Sequence, residues 1–356
     1  MLTRQDTEAG LRRRMLGLLT GAWTTQAIRT AVELGLVDAL ADGVRPARDA
    51  AERIAADPGA TERLLLFLAG LGVVEPLPDG YALTPLGALL RTGIPGSARQ
   101  LALLYGDEFH RSWHELPYAV RTGQEGFAKV FGEPAFDYMT ERPDMAERFA
   151  GAMAFGDVFF ESLTAAHDFR GVRSVLDVGG GDGALLASLL TQCRWLRGVV
   201  VDQPHVSELC GTRMSEAGVA DRFAFVGADF FTDPLPPGCD VHVLSRILHD
   251  WDDDRCVALL SACADALAPG GVVLVVERPL PEEPHGSQDG TVDLATAWDL
   301  HMLVNTSSGR ERTPREYERL FVRAGLEPAG RATLPLDMEV LAARPVAATG
   351  EAGGEE

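Results

Sequence analysis

Several stretches of the chain hold residues whose types and spacing suit chemistry. The most prominent is Val175-Leu176-Asp177-Val178-Gly179-Gly180-Gly181-Asp182-Gly183-Ala184. An apolar run suited to a buried strand gives way to glycines, which let ligand atoms approach the backbone closely before a helix begins. Gly179, Gly181 and Ala184 satisfy the loose dinucleotide fingerprint, and Asp202 lies where an acidic residue would hold a ribose. A tight turn with no ligand is the plainer alternative.

Charge narrows the choice. A pyrophosphate gains nothing from Asp177 and Asp182 beside it, because like charges repel. An acidic residue before the loop instead supports the cationic end of a sulfonium ligand. Further on, Gly227-Ala228-Asp229-Phe230-Phe231 offers a carboxylate that accepts from an adenine amino group and a ring that covers its face. A later strand then runs into Leu248-His249-Asp250-Trp251. Together these features favour S-adenosylmethionine over a nicotinamide cofactor.

Methyl transfer from a sulfonium to oxygen needs an in-line approach and a destination for the proton. A phenol has a pKa of about 10, so ionising it at neutral pH costs roughly 4 kcal/mol. A neutral imidazole takes that proton as transfer proceeds, and His249 stands just after the fourth strand, at the edge of the expected cleft. The alternative is a buried histidine bonded to a backbone carbonyl. A catalytic imidazole also needs a carboxylate to orient it. Glu277 ends the fifth strand in Val275-Val276-Glu277-Arg278-Pro279, and Glu311 lies in Gly309-Arg310-Glu311-Arg312-Thr313. Glu277 pairing with Arg278 or another arginine, and Glu311 lying solvated between two arginines, are the competing readings. Asp250 is placed either in the cofactor wall or as the cap of the next helix.

The elements that must position these groups come from the hydrophobic pattern. Strands are expected at 172–178, 198–202, 223–226, 241–244 and 272–277, with helices opening at 185, spanning 207–216, and spanning 253–267 before Pro269-Gly270-Gly271 stops the last. This alternation predicts an α/β fold, a doubly wound parallel sheet with its ligand at the carboxyl ends of the strands. Thr313-Pro314-Arg315-Glu316 opens a late helix with a reciprocal cap.

The first half reads differently. Ala27, Ile28, Ala31, Val32, Leu34 and Leu36 recur at helical spacing, and Thr61 caps a helix beginning at Glu62. Val73 to Thr84 then forms a hairpin about Asp79-Gly80. Helix, helix and hairpin outline a winged helix. Its acidic and basic side chains are similar in number and no basic stripe precedes the hairpin, so a dimerisation module is favoured over DNA binding. The domains are therefore set at 1–105 for this module, 106–165 for a helical, aromatic connecting region, 166–346 for the Rossmann-like domain, and 347–356 for a disordered tail.

Composition agrees. The net charge of −20 repels phosphate backbones, which argues against nucleic acid. The five cysteines are odd in number, include no Cys-x-x-Cys pair and lie near no histidine cluster, so neither a disulfide framework nor a bound metal is expected. Arg12, Arg13 and Arg14 precede too short an apolar run for a signal peptide, and no stretch is long enough to span a bilayer. A cytoplasmic, non-membrane protein is expected. Lys129 is the sole lysine, in keeping with a GC-rich bacterial genome.

Taken together, the glycine loop, the Asp-Phe-Phe stretch and Leu-His-Asp-Trp resemble the small-molecule O-methyltransferases, the family of plant caffeic acid and flavonoid enzymes and bacterial polyketide-tailoring enzymes. The resemblance spans nearly the whole chain. It implies a homodimer, with an N-terminal winged-helix dimerisation domain and a class I, Rossmann-like catalytic domain that binds S-adenosyl-L-methionine. It further implies that Asp202 holds the ribose hydroxyls, Asp229 and Phe230 hold adenine, and Arg246 and Trp251 line the cofactor pocket. Glu277 and Glu311 are placed on either side of His249. Trp298, Met302 and Asn305 line the pocket of a small aromatic, hydroxyl-bearing acceptor, joined by Met153 and Phe155, although a stripe of this kind also suits ordinary core. Some bacterial relatives of this family decarboxylate or hydroxylate instead, and a winged-helix ligand-responsive regulator is a further alternative. His249, Glu277 and Glu311 together favour methylation.

Overall fold

The structure, a computed structural model, describes residues 7–140, 142–283, 286 and 292–346. The expected tail at 347–356 lies outside the described residues. The chain divides into two compact units: the first holds residues up to His114 together with Asp137–Phe155, and the second holds Glu115–Phe136 and the residues from Gly156 onward.

In the first unit, helices Gly21–Glu33, Ala47–Arg53 and Pro58–Gly70 precede a hairpin of β1, Val74–Leu77, and β2, Gly80–Leu83. Arg45 makes an isolated antiparallel bridge to Tyr81 on the hairpin. Val32, Leu36, Leu40, Leu65, Leu68, Val73, Val74 and Tyr81 close into one apolar core. The cap of the third helix is Asp57 and not Thr61. Pro58 needs no amide partner at the first helical position, the Asp57 carboxylate accepts the Ala60 N–H at 2.8 Å, and the buried Thr61 hydroxyl donates back to the Asp57 carbonyl.

The second unit is built on a seven-stranded sheet of order β5-β4-β3-β6-β7-β9-β8. Its strands are β3 (Ser174–Val178), β4 (Arg197–Asp202), β5 (Phe223–Gly227), β6 (Cys239–Ser245), β7 (Leu267–Glu277), β8 (Leu326–Thr333) and β9 (Glu339–Pro345). Strands β3 to β7 run parallel, whereas β9 lies antiparallel to β7 and β8. Both faces are covered. Val175, Val241, Val243, Val272, Leu274 and Val276 point into one core, while Leu176, Val178, Leu244, Val273 and Val275 point into the other. Near-continuous apolar strands of this kind belong to a sheet sandwiched by helices.

Two features depart from the sequence pattern. The helix ending at Ala266 passes straight into β7, so Pro269-Gly270-Gly271 lies inside the strand, beside a register shift at Cys239/Val241. Strands β8 and β9 were not expected. Leu-Glu-Pro-Ala-Gly-Arg-Ala-Thr is mostly exposed and interrupted by proline and glycine, so it shows no alternation to read. No helix among the described residues is long and apolar enough to cross a membrane.

Candidate active site

Neighbouring strands β3 and β6 lead away in opposite directions across the sheet, which opens a crevice beyond their carboxyl ends. The glycine loop fills the start of that crevice. Gly179 has φ +71, and a Cβ there would stand 2.5 Å from Ile247 Cδ1, so only glycine fits between β3 and the loop after β6. Asp202 clamps this loop: one oxygen accepts the Gly181 N–H at 2.7 Å and the other the Gln203 N–H at 2.6 Å. Asp182 is committed to Arg213, whose Nε donates at 2.8 Å.

Asp177 is buried under the loop, and its Oδ2 has no hydrogen-bond partner among the described residues. Burial, then Asp202 and Asp182, push its carboxyl up to about 7, against the pull of Arg246. A crevice whose floor concentrates so much carboxylate suits a cation.

Asp229 accepts the Phe231 N–H at 2.9 Å, which turns Phe230 and Phe231 toward Trp251. The three rings pack edge to face, with centroids 4.7 Å apart for Phe231 and Trp251 and 6.4 Å for Phe230 and Trp251. Trp251 Nε1 is buried with no hydrogen-bond partner among the described residues. Arg246 follows β6 at φ +57, a strained conformation for a side-chain-bearing residue. Its guanidinium pairs with Asp157 at 3.0 Å and lies over Phe159 and Phe160. The sequence-derived cofactor residues thus meet along one sheet edge, with orphaned polar atoms at both ends. That fits a ligand with a cationic end and a flat aromatic end.

The turn after Arg246 presents His249. Glu277, fully buried at the end of β7, accepts the backbone N–H groups of Ile247, Leu248 and His249 on a single oxygen, at 3.0, 2.9 and 3.4 Å. Its other oxygen stands 3.6 Å from His249 Nδ1. Glu311 is also buried and meets the same nitrogen at 3.0 Å. Both carboxylates therefore meet the ring at Nδ1, Glu311 at 3.0 Å and Glu277 at 3.6 Å. Nε2 points the other way, 3.7 Å from Asp250. Burial disfavours a charged ring, yet Glu277, Asp250 and Glu311 outweigh it and lift the His249 pKa to about 10. Burial raises the Glu277 carboxyl, against the pull of His249.

Glu311 reaches this position through backbone contacts. The Arg310 N–H donates to the His249 carbonyl at 2.8 Å, and the Glu311 N–H to Asp299 at 2.9 Å. Gly309 permits the approach, since a Cβ there would lie 2.7 Å from the His249 carbonyl oxygen. Neither competing reading holds: Glu311 is not solvated, and the Arg278 guanidinium lies over the Trp298 ring at 4.6 Å. Asp252, not Asp250, caps the following helix.

Trp298, Met302 and Asn305 share the helix Leu294–Asn305, with Met302 packed toward Gly309 and Asn305 bonded to His301 at 3.1 Å. Met153 and Phe155 belong to the first unit. Sequence reasoning missed Asp157, Asp299 and above all Arg312. Fully buried, Arg312 donates to the carbonyls of Leu248 and Trp251 at 2.9 and 2.7 Å and pairs with Asp253. It staples the turn that carries His249. The available signal was the charge pattern Arg310-Glu311-Arg312 beside a capped helix.

The chain is similar to known proteins over nearly its whole length. Residues 113–327 match the model of an O-methyltransferase domain, and residues 16–93 that of an O-methyltransferase dimerisation domain. The 3-amino-4-hydroxybenzoate 4-O-methyltransferase of Streptomyces cremeus is 43% identical, covering 93% of this chain and 89% of that protein. The phenazine O-methyltransferase PhzM of Lysobacter antibioticus is 36% identical, covering 93% and 96%. Among solved structures, human N-acetylserotonin methyltransferase in complex with S-adenosylmethionine superposes with a TM-score of 0.86 at 29% identity, covering 97% of this chain and 99% of that one.

Proposed function

The chain belongs to the S-adenosylmethionine-dependent O-methyltransferase family, and from that membership we propose that it methylates a phenolic hydroxyl of a small aromatic natural product, with His249 as general base. The observation that carries this reading is the one-sided grip on the imidazole. In the neutral ring, with Nδ1–H donated to Glu311 at 3.0 Å, the lone pair lies on Nε2, the nitrogen turned away from both buried glutamates.

S-adenosylmethionine, when bound, supplies the methyl group as a sulfonium. Asp177 would face its cationic end, Asp202 would hold the ribose hydroxyls, Asp229 and Phe230 would hold the adenine, and Arg246 and Trp251 would line the pocket. Gly179 and Gly181 let it lie against the backbone. His249 Nε2 takes the proton of the acceptor hydroxyl as the oxygen becomes methylated. The raised basicity of the ring suits this work: an imidazole near 10 and a phenol of pKa about 10 exchange a proton at little net cost. Glu311 and Glu277 stabilise the imidazolium that results. Trp298, Met302 and Asn305 are assigned to the acceptor.

The dimerisation-domain match supports a homodimer. So do the exposed apolar side chains Leu11, Met15, Leu16, Leu18, Leu19 and Trp23 near the start of the chain. Incubation of the purified protein with methyl-labelled S-adenosylmethionine and a panel of phenolic acids, phenazines and naphthoates tests the reading. Label is expected in an ether of at least one phenol; label on none of them, or on nitrogen alone, contradicts it.

A further inference from the structure

We propose that Asp250 is a proton relay: it takes from His249 Nε2 the proton that each methyl transfer leaves there and passes it to solvent. This rests on the general-base reading and extends it to a residue with no part in that reading. The tautomer fixes the exit. His249 accepts from a hydroxyl through Nε2 only while Nδ1 keeps its own proton on Glu311. A proton lost from Nδ1 would leave the ring protonated on Nε2, with no lone pair for the next acceptor. The proton must therefore depart from the nitrogen through which it came. The glutamates are closed to it: both face Nδ1, and the side chains of Glu277 and Glu311 are 0% and 1% exposed.

Asp250 stands on the open side. Its Oδ1 lies 3.7 Å from Nε2, and its side chain is 43% exposed against 14% for the ring. Ring and carboxylate are consecutive in the turn Leu248–Asp250, where the Asp250 N–H donates to the Ile247 carbonyl at 3.2 Å, so the backbone holds the two together. A contact of this length becomes a hydrogen bond through a small side-chain rotation or one intervening water. The carboxylate is not engaged in capping the next helix, which Asp252 does.

The surrounding charges suit the exchange. Desolvation raises the Asp250 carboxyl against the pull of His249, with Glu311 adding to the rise and Arg246 opposing it. A raised carboxyl narrows the gap to the imidazolium that must give up the proton. His301 stays neutral, since burial and then the charge of His249 push its imidazole down to about 4. Each turnover replaces the acceptor's O–H bond by O–CH3 and frees one proton. That proton passes to Nε2, then to Asp250 Oδ1, then to a solvent base, and ring and carboxylate return to their starting states.

A fixed charge at Asp250, with no transfer, predicts the opposite sign. Asp250 is one of the three carboxylates that raise the His249 pKa. Removing its charge alone would leave more of the ring neutral at pH 7 and speed methyl transfer. A relay predicts a slower enzyme.

Asp250→Asn and Asp250→Glu in the full-length enzyme test this, with S-adenosylmethionine affinity by calorimetry as the check that the crevice is intact. In Asp250→Asn the acidic limb of the pH profile should move to lower pH while kcat on its plateau falls by about tenfold or more. The solvent isotope effect on kcat should rise, and imidazole buffer should restore the rate in proportion to its concentration. Asp250→Glu should keep most of kcat. A plateau kcat at or above wild type in Asp250→Asn overturns the relay and leaves the base assignment standing. So does a lowered kcat with a wild-type isotope effect and no rescue by buffer. Methyl transfer at the wild-type rate in His249→Ala overturns the base assignment and the relay together.

Discussion

Glu277 meets His249 twice, accepting its backbone N–H at 3.4 Å with one oxygen and facing its Nδ1 at 3.6 Å with the other. One buried carboxylate thus shapes the turn and biases the ring mounted on it. Geometry and basicity of the His249 imidazole are therefore coupled through a single side chain.

That double role separates two substitutions at the same position. Glu277→Ala leaves the N–H groups of Ile247 and Leu248 without their acceptor and should cost about 2–4 kcal/mol of stability, read as a lowered thermal midpoint. Glu277→Gln keeps an acceptor oxygen but removes the charge. It should lose less stability while kcat falls. Equal loss of stability in both variants would argue against the backbone role.

Glu311 should reveal itself in the pH profile. With the His249 pKa raised to about 10, the free ring is protonated at neutral pH, so kcat/KM for a neutral phenol should rise with pH toward that value. Glu311→Gln removes a carboxylate that holds the proton, so the folded pKa falls and the acidic limb moves to lower pH. The plateau should also drop, on the order of 10²-fold, from lost orientation of the ring. An unmoved limb would show that Glu311 does not act on His249.

Arg312 should behave as a structural staple of the turn that carries His249. Arg312→Ala strands the carbonyls of Leu248 and Trp251 in the interior and leaves Asp253 without this partner, at a cost of about 3–5 kcal/mol. Arg312→Lys should rescue only partly, because an ammonium cannot reproduce the planar fork. Chemical denaturation measures both.

These residues show where legibility ended. The glycine loop, Asp202, Asp229 and Phe230 were readable because each lies next to the carboxyl end of a strand whose apolar run announces it. His249 and Glu277 were readable for the same reason. Arg312 was not: its partners Leu248 and Trp251 lie far back in the chain, and no local pattern distinguishes a buried arginine from a solvated one. The shared approach of Glu277 and Glu311 to Nδ1 was likewise hidden, since it depends on how the segment after Asn305 crosses the β6 turn. Strand β8 escaped notice because an edge strand tolerates the proline, glycine and charge that blur a strand's signature, and β9, which pairs with it, is buried over only a short run, Val340–Ala343.

Gly309 tests that crossing directly. A methyl group at this position would press on the His249 carbonyl at 2.7 Å and on Met302 Cε at 2.9 Å. Gly309→Ala should push Glu311 off the ring, lowering kcat by about tenfold or more while the affinity for S-adenosylmethionine, measured by calorimetry, stays near wild type. Parallel loss of cofactor affinity would point instead to collapse of the whole crevice.

The most direct measurement compares His249→Ala with the wild type in cofactor binding and in methyl transfer on the same preparation. Binding of S-adenosylmethionine should be retained within a few-fold, while transfer to a phenolic acceptor falls by about 10²–10⁴. A variant that binds the cofactor and transfers methyl at the wild-type rate would contradict the assignment of His249 as the base.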